Sequence, residues 1–173
     1  MEYGANEEGE NAALRVGVKE MENLQDLYSP NAICFGCGPK NSEGLQIKSR
    51  VEGEFVVADW TPEPYHTSFA GYVSGGIISI LLDCHGNITA GYSLMKSKGL
   101  ENPPGTVTSE LSIKYLKPTP IGKTLRLKAH CMKIEGSKVY IEGGLGVEGV
   151  ETVEMKGVYV SVKEGHPAFN KWS

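Results

Sequence analysis

One carboxylate, Asp83, stands in an otherwise apolar stretch, Ile77-Ile78-Ser79-Ile80-Leu81-Leu82-Asp83. A charge in such surroundings needs a partner or a chemical purpose. Eight residues earlier, Ser74-Gly75-Gly76 reads as a helix start. Ser74 suits an N-cap, and the two glycines let another backbone or a ligand approach the first turn. That turn presents unpaired N–H groups at the positive end of the helix dipole, where a developing oxyanion is stabilised. A carboxylate base or nucleophile beside such a donor could attack an acyl carbonyl. Asp83 lies about 12 Å along the helix from Gly75, at ~1.5 Å per residue, so one chain alone does not bring the two together.

The other reactive side chains are less eloquent. His85 is two residues from Asp83, and i,i+2 side chains do not face each other on a helix. It is expected to be packed or exposed, without a catalytic role. His66 precedes the helix in a loop and is placed as a pocket residue. His130 alternates onto the polar face of a strand, and no role follows from that. Cys34 and Cys37 form a C-x-x-C, which is half of a zinc site or a redox pair, but the spacing supplies no second pair and no H-x₃₋₅-H. The expectation is a tight structural loop and no metal. No Gly-rich phosphate loop is present, so a coenzyme phosphate would meet scattered Lys or Arg.

The elements that must position these groups follow from periodicity. Residues 1–13 are acidic and without a pattern, which suggests disorder. Residues 19–28 repeat apolar groups at helical spacing and stop at Ser29-Pro30. Residues 45–60 alternate as a hairpin turning at Glu52-Gly53-Glu54. The loop 65–71 leads to a central helix ending near Met95. On it Ile77, Leu81, Cys84, Ile88 and Met95 make a broad apolar face, and Ser79, Asp83, Gly86 and Ala90 make a strip of small residues. Such a helix is buried on more than one side. Its small-residue strip suggests a second subunit as neighbour. Four strands follow, over about 106–116, 125–131, 139–145 and 153–162. The boundaries expected are a tail and short helix over 1–30, one domain over 31–165 and a C-terminal tail over 166–173.

At 173 residues the chain suits one domain with a substantial core. A net charge of −4 with no basic run disfavours a nucleic-acid surface. No apolar run approaches the ~18–20 residues of a membrane span, and no basic signal region opens the chain, so a cytoplasmic protein is expected.

Three stretches together resemble the hot-dog fold acyl-CoA thioesterases, specifically the phenylacetate-pathway-type group. They are Cys34-x-Gly36-Cys37-Gly38-x-x-Asn41-x-x-Gly44-Leu45, Gly71-Tyr72-Val73-x-Gly75-Gly76-Ile77-Ile78-x-x-Leu81-Leu82-Asp83, and Tyr115-Leu116-Lys117-Pro118-x-Pro120-x-Gly122. The resemblance covers about residues 31–162. It implies an α+β fold, an antiparallel sheet of about six strands wrapped around one long helix. It also implies dimers with a continuous sheet, often tetramers, whose interfacial sites hydrolyse acyl-CoA thioesters.

Carried over by position, Asp83 is the base or nucleophile, Gly75 N–H binds the thioester oxygen and Thr108 helps hold the water. Simple alternation turns Thr108 away from the helix, so this role requires a β-bulge or a site reached across the dimer seam. Ser74, Gly76, His66 and Ser68 are the expected substrate-binding positions. Many relatives have His at Ser74 and some have Asn at Ser68. Coenzyme A enters as part of the substrate, and no separate cofactor is expected. A non-catalytic acyl-CoA-binding protein is the alternative. A hydratase would carry a Tyr-x-Asp-x-Asn-Pro-type motif, which this chain lacks.

Overall fold

The computed structural model of the chain describes residues 22–171. The expected acidic tail and the first residues of the N-terminal helix lie outside that range. Within it the helix is one short segment, α1 (Leu24–Tyr28), whose N-cap Asn23 accepts the Asp26 N–H at 2.9 Å. A hairpin follows, β1 (Ser49–Glu52) and β2 (Phe55–Trp60), with Gly53 at φ +62° in its turn. A 3₁₀ turn (Pro64–His66) leads into a small ribbon of β3 (Thr67–Phe69) and β4 (Tyr72–Val73). The central helix α2 runs Gly75–Lys98 and ends in the left-handed Gly99. Four long strands complete the chain: β5 (Thr106–Tyr115), β6 (Leu125–Glu135), β7 (Lys138–Val147) and β8 (Val150–Ser161).

The six long strands form one antiparallel sheet in the order β1-β2-β6-β7-β8-β5. One face of this sheet holds α2. Ile78, Leu81, Leu82 and Leu94 of the helix share one core with Leu125 and Leu127 of β6, Ile141 and Leu145 of β7, and Met155 and Tyr159 of β8. Each such side chain contributes about 1.5–3 kcal/mol when fully buried, so the helix and sheet hold each other. This is the hot-dog arrangement that the sequence resemblance implied.

Three local expectations differ from the structure. Residues 45–48 do not pair as a strand, because their backbone is already engaged. Leu45 N–H and Ile47 N–H donate to Phe35 and Gly36 carbonyls at 2.7 and 3.0 Å. Gln46 has a left-handed φ of 48°, and its Nε2 donates to Pro39 and Asn41 carbonyls. The loop 65–71 is partly a ribbon, since Thr67 Oγ1 donates to the Phe69 and Tyr72 carbonyls. Finally, the small-residue strip of α2 is covered within the chain at Gly86. A Cβ there would stand 2.0 Å from the Tyr159 hydroxyl and 2.6 Å from Met155 Cε.

His85 is fully buried, as a packed residue should be. The Val56 carbonyl accepts from its Nε2–H at 3.0 Å, so Nδ1 accepts from Ser49 Oγ–H at 2.9 Å. Gln25 Nε2 in turn donates to Ser49 Oγ at 3.0 Å, tying α1 and β1 to the helix. Burial pushes the imidazole pKa down to about 4. Between pH 6.5 and 4 the unfolded chain binds a proton that the folded chain excludes. This contribution is therefore fully present above pH 6.5 and is lost as pH falls toward 4, by about 3 kcal/mol in all. Thermal denaturation between pH 7 and 4.5 should show a steeper loss of Tm for the wild type than for His85→Gln. Equal slopes would assign the acid sensitivity to other groups.

Candidate active site

Asp83 sits half-buried on α2, and its Oδ1 accepts the Thr108 hydroxyl at 2.6 Å. Thr108 reaches it because β5 carries a bulge. Thr108 pairs with Tyr159 and Glu110 with Val158, leaving Ser109 as the extra residue. Before the bulge Thr106 and Thr108 face the helix; beyond it the parity changes and Leu111, Ile113 and Tyr115 do so. One of the two conditions set for a role of Thr108 is thus met within a single chain.

A polar network continues from this pair. Asn87, one turn beyond Asp83, donates from Nδ2 to Thr108 Oγ1 at 3.4 Å. Its Oδ1 accepts from Thr106 Oγ1 at 2.9 Å and from Lys171 Nζ at 2.7 Å. The C-terminal segment brings Lys171 here. Val162 N–H donates to the Gly105 carbonyl at 2.9 Å, and a Cβ on Gly105 would stand 2.4 Å from the Ala168 carbonyl oxygen. Through residue 171 the expected tail is therefore folded onto the domain. A cavity of about 490 Å³ opens over this network, with Cys34, Asp83, Cys84, Asn87, Thr108 and Lys171 in its wall.

Gly75 belongs to a second cavity of about 320 Å³ at the other end of the helix, which Ser68, Phe69, Tyr72 and Tyr115 also line. The Ser79 and Tyr115 hydroxyls both donate to the Gly75 carbonyl, at 2.9 and 2.8 Å. Ser74 holds the N-cap position, but its side chain makes no capping hydrogen bond. Its backbone N–H is drawn to the His66 carbonyl at 2.8 Å. The hydroxyl lies over Gly76 instead, 3.7 Å from where a Cβ would stand. The expected side-chain cap is therefore not formed, which leaves the first-turn N–H groups without that acceptor.

His66 lines neither cavity. Its Nδ1 accepts the Glu63 N–H at 2.9 Å in a reciprocal cap of the 3₁₀ turn, and its ring packs against Trp60 and Tyr65. Burial lowers its pKa. Within this chain His66 therefore serves the 3₁₀ turn, at a distance from the two cavities in which Asp83 and Gly75 lie. The chain brings Thr108 to Asp83 and Ser68 to Gly75, and keeps those two pairs in separate cavities.

Sequence reasoning missed Asn87, Tyr115, Lys171 and the third member of a thiol cluster. Asn87 was within reach, being four residues from Asp83 on the same helix face. The cysteine loop packs its Cys34 and Cys37 against Cys84 of α2, with the three sulfurs within 4.8 Å of one another. Thiol hydrogen bonds from Cys37 and Cys84, aided by the backbone N–H groups of Cys37 and Gly36, hold the Cys34 thiol far below its usual range. The same contacts with Cys34 push the Cys37 and Cys84 thiols up. Among the described residues, no helix is long and apolar enough to cross a membrane.

The sequence profile described as "Thioesterase superfamily" matches residues 70–153. A thioesterase superfamily protein from Shewanella loihica PV-4 is 32% identical, with a TM-score of 0.62; the match covers 80% of this chain and 99% of that one. The Escherichia coli PaaI protein from the phenylacetic acid degradation operon is 16% identical with a TM-score of 0.59, over 69% of this chain and 81% of that one. A hypothetical thioesterase protein with coenzyme A from Streptococcus pneumoniae TIGR4 is 18% identical with a TM-score of 0.56, over 65% of this chain and 85% of that one. MIOREX complex component 3 of Saccharomyces cerevisiae is 29% identical over 129 residues, which are 70% of this chain. The chain spans only 42% of the length of that curated relative. The chain belongs to the thioesterase superfamily.

The packing of the cysteine loop on α2 depends on Gly36, where a Cβ would stand 2.4 Å from Cys84 Sγ and 2.8 Å from Ile80 Cγ2. Gly36→Ala should lower stability by about 1–3 kcal/mol in urea titration, the usual cost of overpacking. An unchanged unfolding midpoint would show that the loop yields freely.

Proposed function

We propose that the protein is an acyl-CoA thioesterase, cleaving an acyl-CoA thioester to the free acid and coenzyme A. Asp83 acts as general base or nucleophile, and Thr108 orients its carboxylate and the attacking water. The Gly75 N–H, with Gly76 beside it, stabilises the oxyanion; Ser68 and Ser74 flank the acyl entrance. The observation that carries this reading is the Asp83–Thr108 hydrogen bond of 2.6 Å in the wall of an open cavity. Coenzyme A on the Streptococcus pneumoniae relative supports the choice of substrate. Water is the second reactant: its oxygen takes the acyl group and its proton leaves with the coenzyme A thiol, and coenzyme A enters only as part of the substrate.

Because Gly75 and Asp83 occupy different cavities about two helical turns apart, each complete site draws Gly75 from one copy and Asp83 from another. Strand β5 lies at the edge of the sheet, where a second copy would continue the ladder, as a dimer or within a tetramer. A cytoplasmic setting suits the four cysteines, all of them free.

A second reading is a non-catalytic acyl-CoA-binding protein. It is favoured by serine at positions 68 and 74 and by a yeast relative named as a component of a complex. Thiol release from a panel of short, long and aromatic acyl-CoAs separates the two. Asp83→Asn should lower kcat by about 10²–10⁴ with the fold retained. Thr108→Val should cost about 10–100-fold, the worth of one hydrogen bond to a charged group. Undiminished turnover in Asp83→Asn would sink the assignment; binding without turnover of any thioester would establish the second reading.

A further inference from the structure

Three sulfurs converge in the wall of the cavity that Asp83 lines. They come from two separated parts of the chain, the Cys34-Phe35-Gly36-Cys37-Gly38 turn and the middle of α2. All lie within 4.8 Å of one another, and Cys34 Sγ is 3.7 Å from Cys84 Sγ. That separation is far beyond a disulfide bond of about 2.05 Å. It equals the edge of a tetrahedron with metal–sulfur bonds of about 2.3 Å, which is about 3.8 Å.

The turn is also built in the manner of a thiolate-binding loop. Gly38 N–H donates to the Cys34 carbonyl at 2.8 Å, and the N–H groups of Gly36 and Cys37 are directed at the Cys34 sulfur. Donors aimed at a sulfur stabilise its anionic form and fix its direction, as the outer shell of a metal site does. Two glycines make the geometry possible. A Cβ on Gly38 would meet Cys34 N at 2.4 Å, and one on Gly36 would meet Cys84 Sγ at the same distance. Lys171 lines the same cavity as the three cysteines, so a basic side chain shares that space with the cluster.

We infer that Cys34, Cys37 and Cys84 bind one Zn²⁺ as thiolates, with the fourth tetrahedral position open to the cavity that Asp83 and Thr108 line. Soft thiolate donors in a tetrahedral set select Zn²⁺ over hard cations such as Mg²⁺ or Ca²⁺. Three protein ligands with one exchangeable position, held by water, distinguish it from a closed four-cysteine structural site. Each thiol loses its proton as its sulfur bonds the metal, so binding releases up to three protons and weakens as pH falls. The ion pins the cysteine loop to α2 directly beside the carboxylate.

The test uses the full chain, reduced and stripped of metal, titrated with Co²⁺ and then Zn²⁺. The expected result is one Co²⁺ per chain with a thiolate-to-cobalt charge-transfer band and tetrahedral visible bands, all displaced by Zn²⁺. Zinc loading should protect three of the four thiols from a thiol reagent, leaving Cys131. Cys37→Ser and Cys84→Ser should each weaken binding more than the 10–100-fold that loss of an outer-shell partner costs, whereas Cys131→Ser should not. Wild-type protein that shows no charge-transfer band and keeps all four thiols reactive with zinc present would overturn the inference. So would wild-type affinity in Cys84→Ser. Should a serine variant fail to fold, the wild-type band and thiol count decide the matter alone.

Discussion

A 24-residue helix with apolar side chains around most of its circumference has to be covered on several sides, and that requirement shapes the whole molecule. The sheet covers one side. Its β7 strand bears Gly143, Gly144 and Gly146, where neighbouring backbone comes so close that an added Cβ would stand 2.2–2.4 Å from a carbonyl oxygen. The cysteine loop covers another side, bound by its own carbonyls to residues 45–47 and packed through Gly36 onto Ile80 and Cys84. Asp83 falls at the seam between these two covers. There its carboxylate has a hydroxyl partner and access to a cavity, so its charge is neither stranded in the core nor lost to bulk solvent.

The same helix separates the two halves of the chemistry. Its N-terminus presents backbone donors that Ser74 does not cap, next to Tyr115 and Ser68. Its middle presents the carboxylate. A rigid helix cannot fold back to join them, so within the proposed mechanism a second copy supplies the missing half. Exposed Phe69, Tyr115 and Leu116 around the Gly75 end would then be covered by that copy. Charge, oxyanion donor and subunit contact would be three consequences of one buried helix.

Much of this was legible in the residues. The apolar pattern around Asp83 located the buried helix, alternation located the long strands, and Ser74-Gly75-Gly76 located the helix start to the residue. The bulge at Ser109 was not visible as such, yet placing Thr108 beside Asp83 called for either a bulge or a site reached across the dimer seam. What stayed hidden depends on side-chain conformation and on contacts between distant segments. The rotation of the Ser74 hydroxyl away from its cap and the pairing of His66 with Glu63 are local choices that apolar periodicity does not register, whereas the return of Lys171 to Asn87 joins segments 84 residues apart. Cys84 is the sharpest case. A ligand search by spacing looks for a second pair, whereas the fold adds a single thiol from a helix turn 47 residues beyond Cys37.

The claim on which the mechanism turns is that each site is shared between two copies. Gly75→Pro removes the donor N–H at the first helical position, where proline is tolerated, and Asp83→Asn removes the carboxylate. Each variant alone should be nearly inactive on acyl-CoA. Co-expressed in equal amounts, they should recover about a quarter of wild-type activity, because half of randomly assembled pairs contain one intact site out of two. Mixed assemblies as inactive as the separate variants would contradict a shared site and would require both groups to act within one chain.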